Sequence, residues 1–220
     1  MITFKLDSFH RNMQELLDKI QTLKTSEVKT HVDARITEFS EIKTHPIHLI
    51  FKELCFCITT ANCSAERCIE VQEKMGNGFL TLSEKQLASK LKEYKYRFPN
   101  VRSKYIFEAR KKISELESNI KSGDNGPNLR EWIVNNIKGI GYKEASHFLR
   151  NIGYNDYAII DFHIIDLLVN YNLIQKPKTL TKNKYLEIEE ILKNIGEKLN
   201  LNLSELDLYL WYLETGKILK

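Results

Sequence analysis

One lysine and one aspartate in this chain have local settings suited to chemistry. Lys143 follows the segment Lys138-Gly139-Ile140-Gly141-Tyr142, and Asp161 closes the apolar run Tyr157-Ala158-Ile159-Ile160. In the first turn of a helix the dipole favours an acid over a cation. A lysine placed there, with any burial, is biased toward the neutral amine, which is a nucleophile. An aspartate that opens a helix accepts backbone N–H groups as an N-cap, and its carboxylate can stabilise a developing cation or relay a proton. Taken singly, a solvated surface lysine and an ordinary capping aspartate account for each position. The joint occurrence of hairpin, lysine and aspartate is what points to a site.

Two helices must position Lys143. Leu129, Trp132, Ile133 and Ile137 recur at helical spacing, and so do Ala145, Phe148, Leu149 and Ile152. Residues 138–142 leave room only for a tight turn, in which glycines take backbone angles closed to other residues. The pattern predicts a helix-hairpin-helix over about 129–151. Backbone N–H groups of Gly139, Gly141 and their neighbours are then expected to be free at the start of the second helix. Those donors and the helix dipole suit a phosphate oxygen. Hairpin carbonyls, if they converge, can also hold a monovalent cation. A bare Gly-x-Gly between helices is equally compatible with a structural turn. Asp161 is expected to cap a helix over Phe162 to Tyr171.

The remaining elements read as helices as well. With nine glycines, four prolines and little strand-like alternation in 220 residues, the chain is expected to be all-α, as one good core or two small helical subdomains. Periodicity predicts helices from about Ser8 to Leu23 and Glu27 to Ile42, then a break at His45-Pro46. The most apolar stretch, Ile47 to about Val71, is expected to form a buried helix, a turn and a second helix. Ser83 to Gln86 has capping-box spacing and starts a short helix to about Tyr94. One long helix is predicted from about Lys104 to Ile120, with Arg110, Lys111 and Lys112 on a solvated face. After the connector SGDNGPN and the hairpin come helices from about Asn183 to Leu199 and from Ser204, the latter with Asp207 as a weak capping-box partner. The segment YKYRFPNVRSKY interleaves Lys95, Arg97, Arg102 and Lys104 with Tyr94, Tyr96, Phe98 and Tyr105. It suits a surface that tracks a nucleic-acid backbone and stacks on bases, or a solvated loop whose aromatics pack inward.

Charge and cysteines narrow the function classes. The formal net charge of +4, from 33 basic and 29 acidic side chains, is compatible with a nucleic-acid partner without requiring one. Cys55, Cys57, Cys63 and Cys68 are separated by steps of two, six and five, which do not match a paired Cys-x-x-Cys zinc site. Buried, reduced thiols are expected instead, and no metal. No run is apolar and long enough to span a membrane, and no signal peptide is visible, so a cytoplasmic location is expected.

The segments KGIGYKEASHFLRN, AIIDFHI and LDLYLWYLETGKILK together resemble the helix-hairpin-helix DNA glycosylases, and within them the compact, archaeal-type 8-oxoguanine DNA glycosylase/AP lyases. The resemblance covers essentially the whole chain. It implies an all-α fold of two helical subdomains flanking a DNA-binding cleft, here expected as 1–46 with 172–220 and as 47–171. It implies Lys143 as Schiff-base nucleophile, Asp161 as the essential aspartate, and His163 as a residue that touches a DNA phosphate. Asn62 is the candidate to meet the base left unpaired by flipping; a simple helix cap is the alternative. Trp211 is expected to stack on the extruded base, Lys220 to help build its pocket and Phe98 to line it. A core tryptophan is the alternative for Trp211. Phe162 stands where a basic residue is frequent, and Lys138 replaces a common hairpin proline.

The implied activity is excision of 8-oxoguanine from double-stranded DNA, followed by β-elimination at the abasic site. No cofactor is required, and the enzyme is expected to be a monomer. A glycosylase for another damaged base and a non-enzymatic helix-hairpin-helix DNA-binding module are the rivals. The latter accounts for Gly139 and Gly141 but gives no reason for Lys143 and Asp161 together.

Overall fold

Helix follows helix through residues 2–61, 63–122 and 127–220, which the computed structural model describes. In order these are α1 (Ile2–Lys24), α2 (Val28–Ile42), α3 (Ile47–Thr60), α4 (Ala65–Met75), α5 (Gly78–Thr81), α6 (Glu84–Glu93), α7 (Pro99–Arg110), α8 (Ile113–Lys121), α9 (Pro127–Asn136), α10 (Tyr142–Asn151), α11 (Phe162–Asn170), α12 (Lys182–Leu199) and α13 (Leu203–Thr215). No strand occurs among the described residues. The expected all-α class and the helix-hairpin-helix, α9 and α10, are both present.

The helices form two compact units, residues 1–38 with 155–219 and residues 39–154 with Lys220. The boundaries differ from the expected division at 46 and 171. For the later boundary the reason lies in α11, whose buried Ile164, Leu167 and Leu168 belong to a helix packed on α13. Lys220 belongs to the second unit, where its side chain bonds Glu53 of α3.

In the second unit, α3 is the central element. From Ile50 to Thr60 its residues are buried with the exception of Lys52, and α4, α5, α7, α8 and α10 pack around it. A helix that is apolar on all sides must be enclosed in this way. Cys55, Cys57 and Cys68 are buried free thiols, while Cys63 is only partly buried. In the first unit, α1 packs on α12 and α13, and α12 on α13, around Leu16, Ile20, Tyr185, Ile188, Leu206 and Tyr209.

Three local expectations differ from the structure. The predicted helix 104–120 is two helices, because Arg110 turns inward instead of facing solvent. Its guanidinium donates to the carbonyls of Phe79 at 2.7 and 3.2 Å and of Leu82 at 2.9 Å, which ties the end of α7 to α5. The last helix is capped by Asn202, not Ser204: the Asn202 side chain accepts from the Glu205 N–H at 3.0 Å while Glu205 accepts from the Asn202 N–H at 2.9 Å. The segment 94–105 is mixed. Tyr96 and Arg102 are buried and donate to the carbonyls of Thr59 at 2.7 Å and Ala61 at 3.1 Å, bracing the end of α3, whereas Lys95, Arg97 and Lys104 are exposed. Asn62 itself lies outside the described residues.

Candidate active site

The hairpin joins α9 to α10 through 137–141, and its shape demands glycine at one position. Gly139 has φ +83°, and a Cβ there would lie 2.3 Å from the Tyr105 ring. The two helices are clamped by side chains beneath the turn. Arg130 donates to Ser146 Oγ at 3.2 Å and stands 5.2 Å from the Tyr142 ring, while the Tyr142 hydroxyl bonds Glu131.

Gly141 is the N-cap of α10 and has no side chain to offer the first helical N–H groups. The expectation that the Gly141 N–H is free needs correction: it donates to Glu144 Oε2 at 3.3 Å. The acid belongs there because the helix dipole favours a carboxylate in the first turn. An arriving phosphate would compete for the same donor.

Lys143 occupies the first turn of α10 and is partly buried. Its charge reaches the buried groups of the second unit: with Lys220 it acts on both Cys57 and His147. His147, one turn further along α10, is 7% exposed; no side chain bonds its ring nitrogens, and the Lys220 backbone is the polar group that approaches them. Burial, then the positive charges of Arg150, Lys143 and Lys220, push its imidazole well below the ordinary value. The ring is therefore neutral near pH 7.

Lys220 bonds the buried Glu53, with Nζ 2.8 and 3.0 Å from the two carboxylate oxygens, and lies 4.8 Å from the Phe56 ring centre. His147 meets the same ring edge-on at 5.5 Å. Phe98, in contrast, is the partly buried N-cap residue of α7, with the Arg97 guanidinium 5.0 Å from its ring.

In the first unit, an extended segment leads into Asp161, and α12 supplies the hydrogen bonds that the segment lacks. Tyr185 donates to the Ala158 carbonyl at 2.6 Å and accepts from the Ile160 N–H at 3.2 Å, while Glu189 accepts from the Ala158 N–H at 2.9 Å. Buried backbone groups without such partners would be costly. Asp161 then caps α11, its Oδ1 accepting from the Ile164 N–H at 3.1 Å. His163 and Trp211 come together, with ring centres 4.9 Å apart and nearly perpendicular planes. His163 Nδ1 also lies 3.9 Å from Glu214, and the neighbouring Phe162 is 66% exposed. Trp211 is partly buried, and its Nε1 is enclosed without a partner.

Glu53 and His147 escaped the reading of the sequence. Glu53 is the one carboxylate in IHLIFKELCFCITT, an acid in a stretch that must be enclosed, and such a residue requires a partner. His147 lies off the Ala145, Phe148, Leu149 and Ile152 face of α10, so helical periodicity alone places it among the polar residues that face outward.

A helix-hairpin-helix with a glycine turn, a lysine in the first turn of its second helix and a capping aspartate downstream define the class of helix-hairpin-helix DNA glycosylases. Within that class the chain belongs to the 8-oxoguanine DNA glycosylase family, whose sequence model matches residues 32–201. It is 54% identical over 206 residues to the 8-oxoguanine DNA glycosylase/AP lyase of Methanocaldococcus jannaschii, covering 93% of this chain and 99% of that protein. The Korarchaeum cryptofilum protein of the same name is 48% identical, over 94% of this chain and 99% of its own length. The crystal structure of the M. jannaschii enzyme with a 15mer DNA containing 8-oxoguanine is similar with a TM-score of 0.91 at 53% identity, over 94% of this chain and all of that one. The 8-oxoguanine DNA glycosylase of Thermotoga maritima gives a TM-score of 0.88 at 41% identity, over 94% and 100% of the two chains.

Proposed function

We propose that this protein is a bifunctional DNA repair enzyme that excises 8-oxoguanine from double-stranded DNA and cleaves the strand at the resulting abasic site. The observation that carries the reading is Lys143 in the first turn of α10, directly behind a hairpin whose N-cap glycine provides no side-chain cap. Membership of the 8-oxoguanine DNA glycosylase family supplies the substrate class.

A damaged base inside a duplex is out of reach, so the nucleotide is extruded at an unstacking cost of about a few kcal/mol. The Gly139–Gly141 hairpin grips a phosphate while this happens, and His163 holds another. By resemblance Trp211 is assigned to stacking on the extruded base, and Phe98 and Lys220 to its recognition. The Lys143 amine forms a bond to the anomeric carbon as the glycosidic bond breaks and the base leaves with its electron pair. Asp161 stabilises the positive charge on the sugar. The C1′–O4′ bond then breaks, O4′ gaining a proton as the nitrogen loses one, and the open-chain Schiff base acidifies the proton on C2′. Loss of that proton expels the 3′ phosphate by β-elimination and cuts the strand.

Every step uses side chains alone, without metal or cofactor; a monovalent cation on the hairpin carbonyls would serve only the grip on the backbone. The enzyme works as a monomer in the cytoplasm. No helix among the described residues is long and apolar enough to cross a membrane.

A duplex carrying a single 8-oxoguanine tests the reading. Release of the free oxidised base, together with a strand ending in a 3′ unsaturated aldehyde, is the expected outcome. Binding without base release would contradict it.

A further inference from the structure

Lys220 meets a carboxylate that other residues already hold. Glu53 lies within α3 and is 7% exposed. Its Oε1 accepts from Gln72 Nε2 of α4 at 2.9 Å, and its Oε2 from Asn151 Nδ2 of α10 at 3.3 Å. Asn151 is fixed in turn by Arg150, whose Nε and Nη2 donate to Oδ1 at 3.2 and 3.0 Å. The Lys220 ammonium then bridges both Glu53 oxygens at 2.8 and 3.0 Å. Two amides cannot neutralise a buried carboxylate, so the cation is the partner that the site requires.

What surrounds this ion pair argues for more than an anchor. The Phe56 ring carries the Lys220 ammonium 4.8 Å from its centre and the His147 edge at 5.5 Å. Both His147 nitrogens are enclosed, with the Lys220 backbone as the polar group that approaches the ring. Lys220 is thus held on three sides, by the Glu53 carboxylate, the Phe56 ring and the buried His147, at the residue assigned to base recognition.

We propose that Glu53 is a positioning residue for base recognition: its carboxylate, oriented by Gln72 and Asn151, sets the place of Lys220 and with it the fit of the extruded base. The proposal rests on the reading of Lys220 as part of the base pocket. Glu53 takes no part in the covalent steps, which belong to Lys143. Its loss should therefore weaken base excision and spare cleavage of a site that has no base.

The test compares single-turnover excision of 8-oxoguanine with strand cleavage of the same duplex bearing a preformed abasic site. For Glu53→Gln, excision should fall by about tenfold or more while abasic cleavage stays within about twofold of the parent. Once Lys220→Met is present, adding Glu53→Gln should lower excision by no more than about twofold, because the two substitutions remove one interaction. A purely structural ion pair would lower both activities by the same factor, and independent residues would multiply their effects; either result overturns the proposal. Should Glu53→Gln fail to fold, Glu53→Asp carries the test. It keeps the charge but withdraws the carboxylate by one methylene, and the same split between the two activities is expected. A parent that cleaves abasic DNA yet leaves 8-oxoguanine in place would overturn the substrate reading itself, and the proposal's premise with it.

Discussion

The N-termini of α10 and α11 begin with the same difficulty and resolve it in opposite ways. Each has first-turn N–H groups that no helical carbonyl can reach. At α11 the Asp161 carboxylate fills the position by accepting from Ile164 at 3.1 Å. At α10 the cap is Gly141, which has no side chain, and Glu144 reaches back to the Gly141 N–H at 3.3 Å. One terminus is closed by a fixed anion. The other stays open to an anion from outside, with Lys143 beside it. One local device can serve two tasks: a terminus capped by a side chain orients a carboxylate, and one capped by glycine leaves room for the phosphate proposed to bind there.

The largest expected effect comes from separating cap from charge at α11. Asp161→Asn keeps a good N-cap, so the unfolding free energy should change by less than about 1 kcal/mol. Excision, however, should fall on the order of 10²–10³-fold if the negative charge stabilises the sugar cation. Single-turnover rates beside a denaturant titration separate the two. An equal, small effect on both would leave Asp161 an ordinary cap.

Making α10 resemble α11 is the converse change. Gly141 has φ −100°, open to any residue, and a Cβ there would meet nothing nearer than Glu144 Oε2 at 3.4 Å. Gly141→Asp should therefore leave the fold intact or slightly stabilised, while weakening binding to an abasic-analogue duplex by about tenfold, or roughly 1.4 kcal/mol. Unchanged DNA affinity would remove the hairpin from the phosphate grip.

The bodies of the two helices differ as well, since α10 buries His147 where α11 buries only apolar side chains. The folded state holds this imidazole neutral, and its proton affinity lies well below the unfolded value. Below about pH 6.5 the unfolded chain binds a proton that the folded chain refuses. Its stabilising contribution is complete above that pH and is lost as pH falls, at up to about 1.4 kcal/mol per pH unit. Denaturant midpoints from pH 7 to 5 should fall more steeply for the parent than for His147→Gln. Parallel curves would contradict the assignment.

Legibility in the sequence follows the same division between local and distant causes. The hairpin, the Asp161 cap and the capping box at Ser83 were readable because each depends on residues within a turn of one another. The break between α7 and α8 was not, because it depends on Arg110 reaching the carbonyls of α5. The Glu53–Lys220 pair joins residues 167 positions apart. Only its demand for a partner, not the partner, could be inferred from an acid in an apolar helix. The proposed role of Lys143 drew on both levels: spacing placed it behind a glycine turn, and the resemblance to the glycosylases suggested the chemistry.

The central claim is that the Lys143 amine bonds the sugar, and borohydride trapping tests it most directly. A duplex with one 8-oxoguanine should give a covalent protein–DNA adduct with the parent, and peptide mapping should place it on Lys143. Lys143→Gln should give none while still binding the duplex. An adduct of undiminished yield with Lys143→Gln, or one mapped to another amine, would contradict the account.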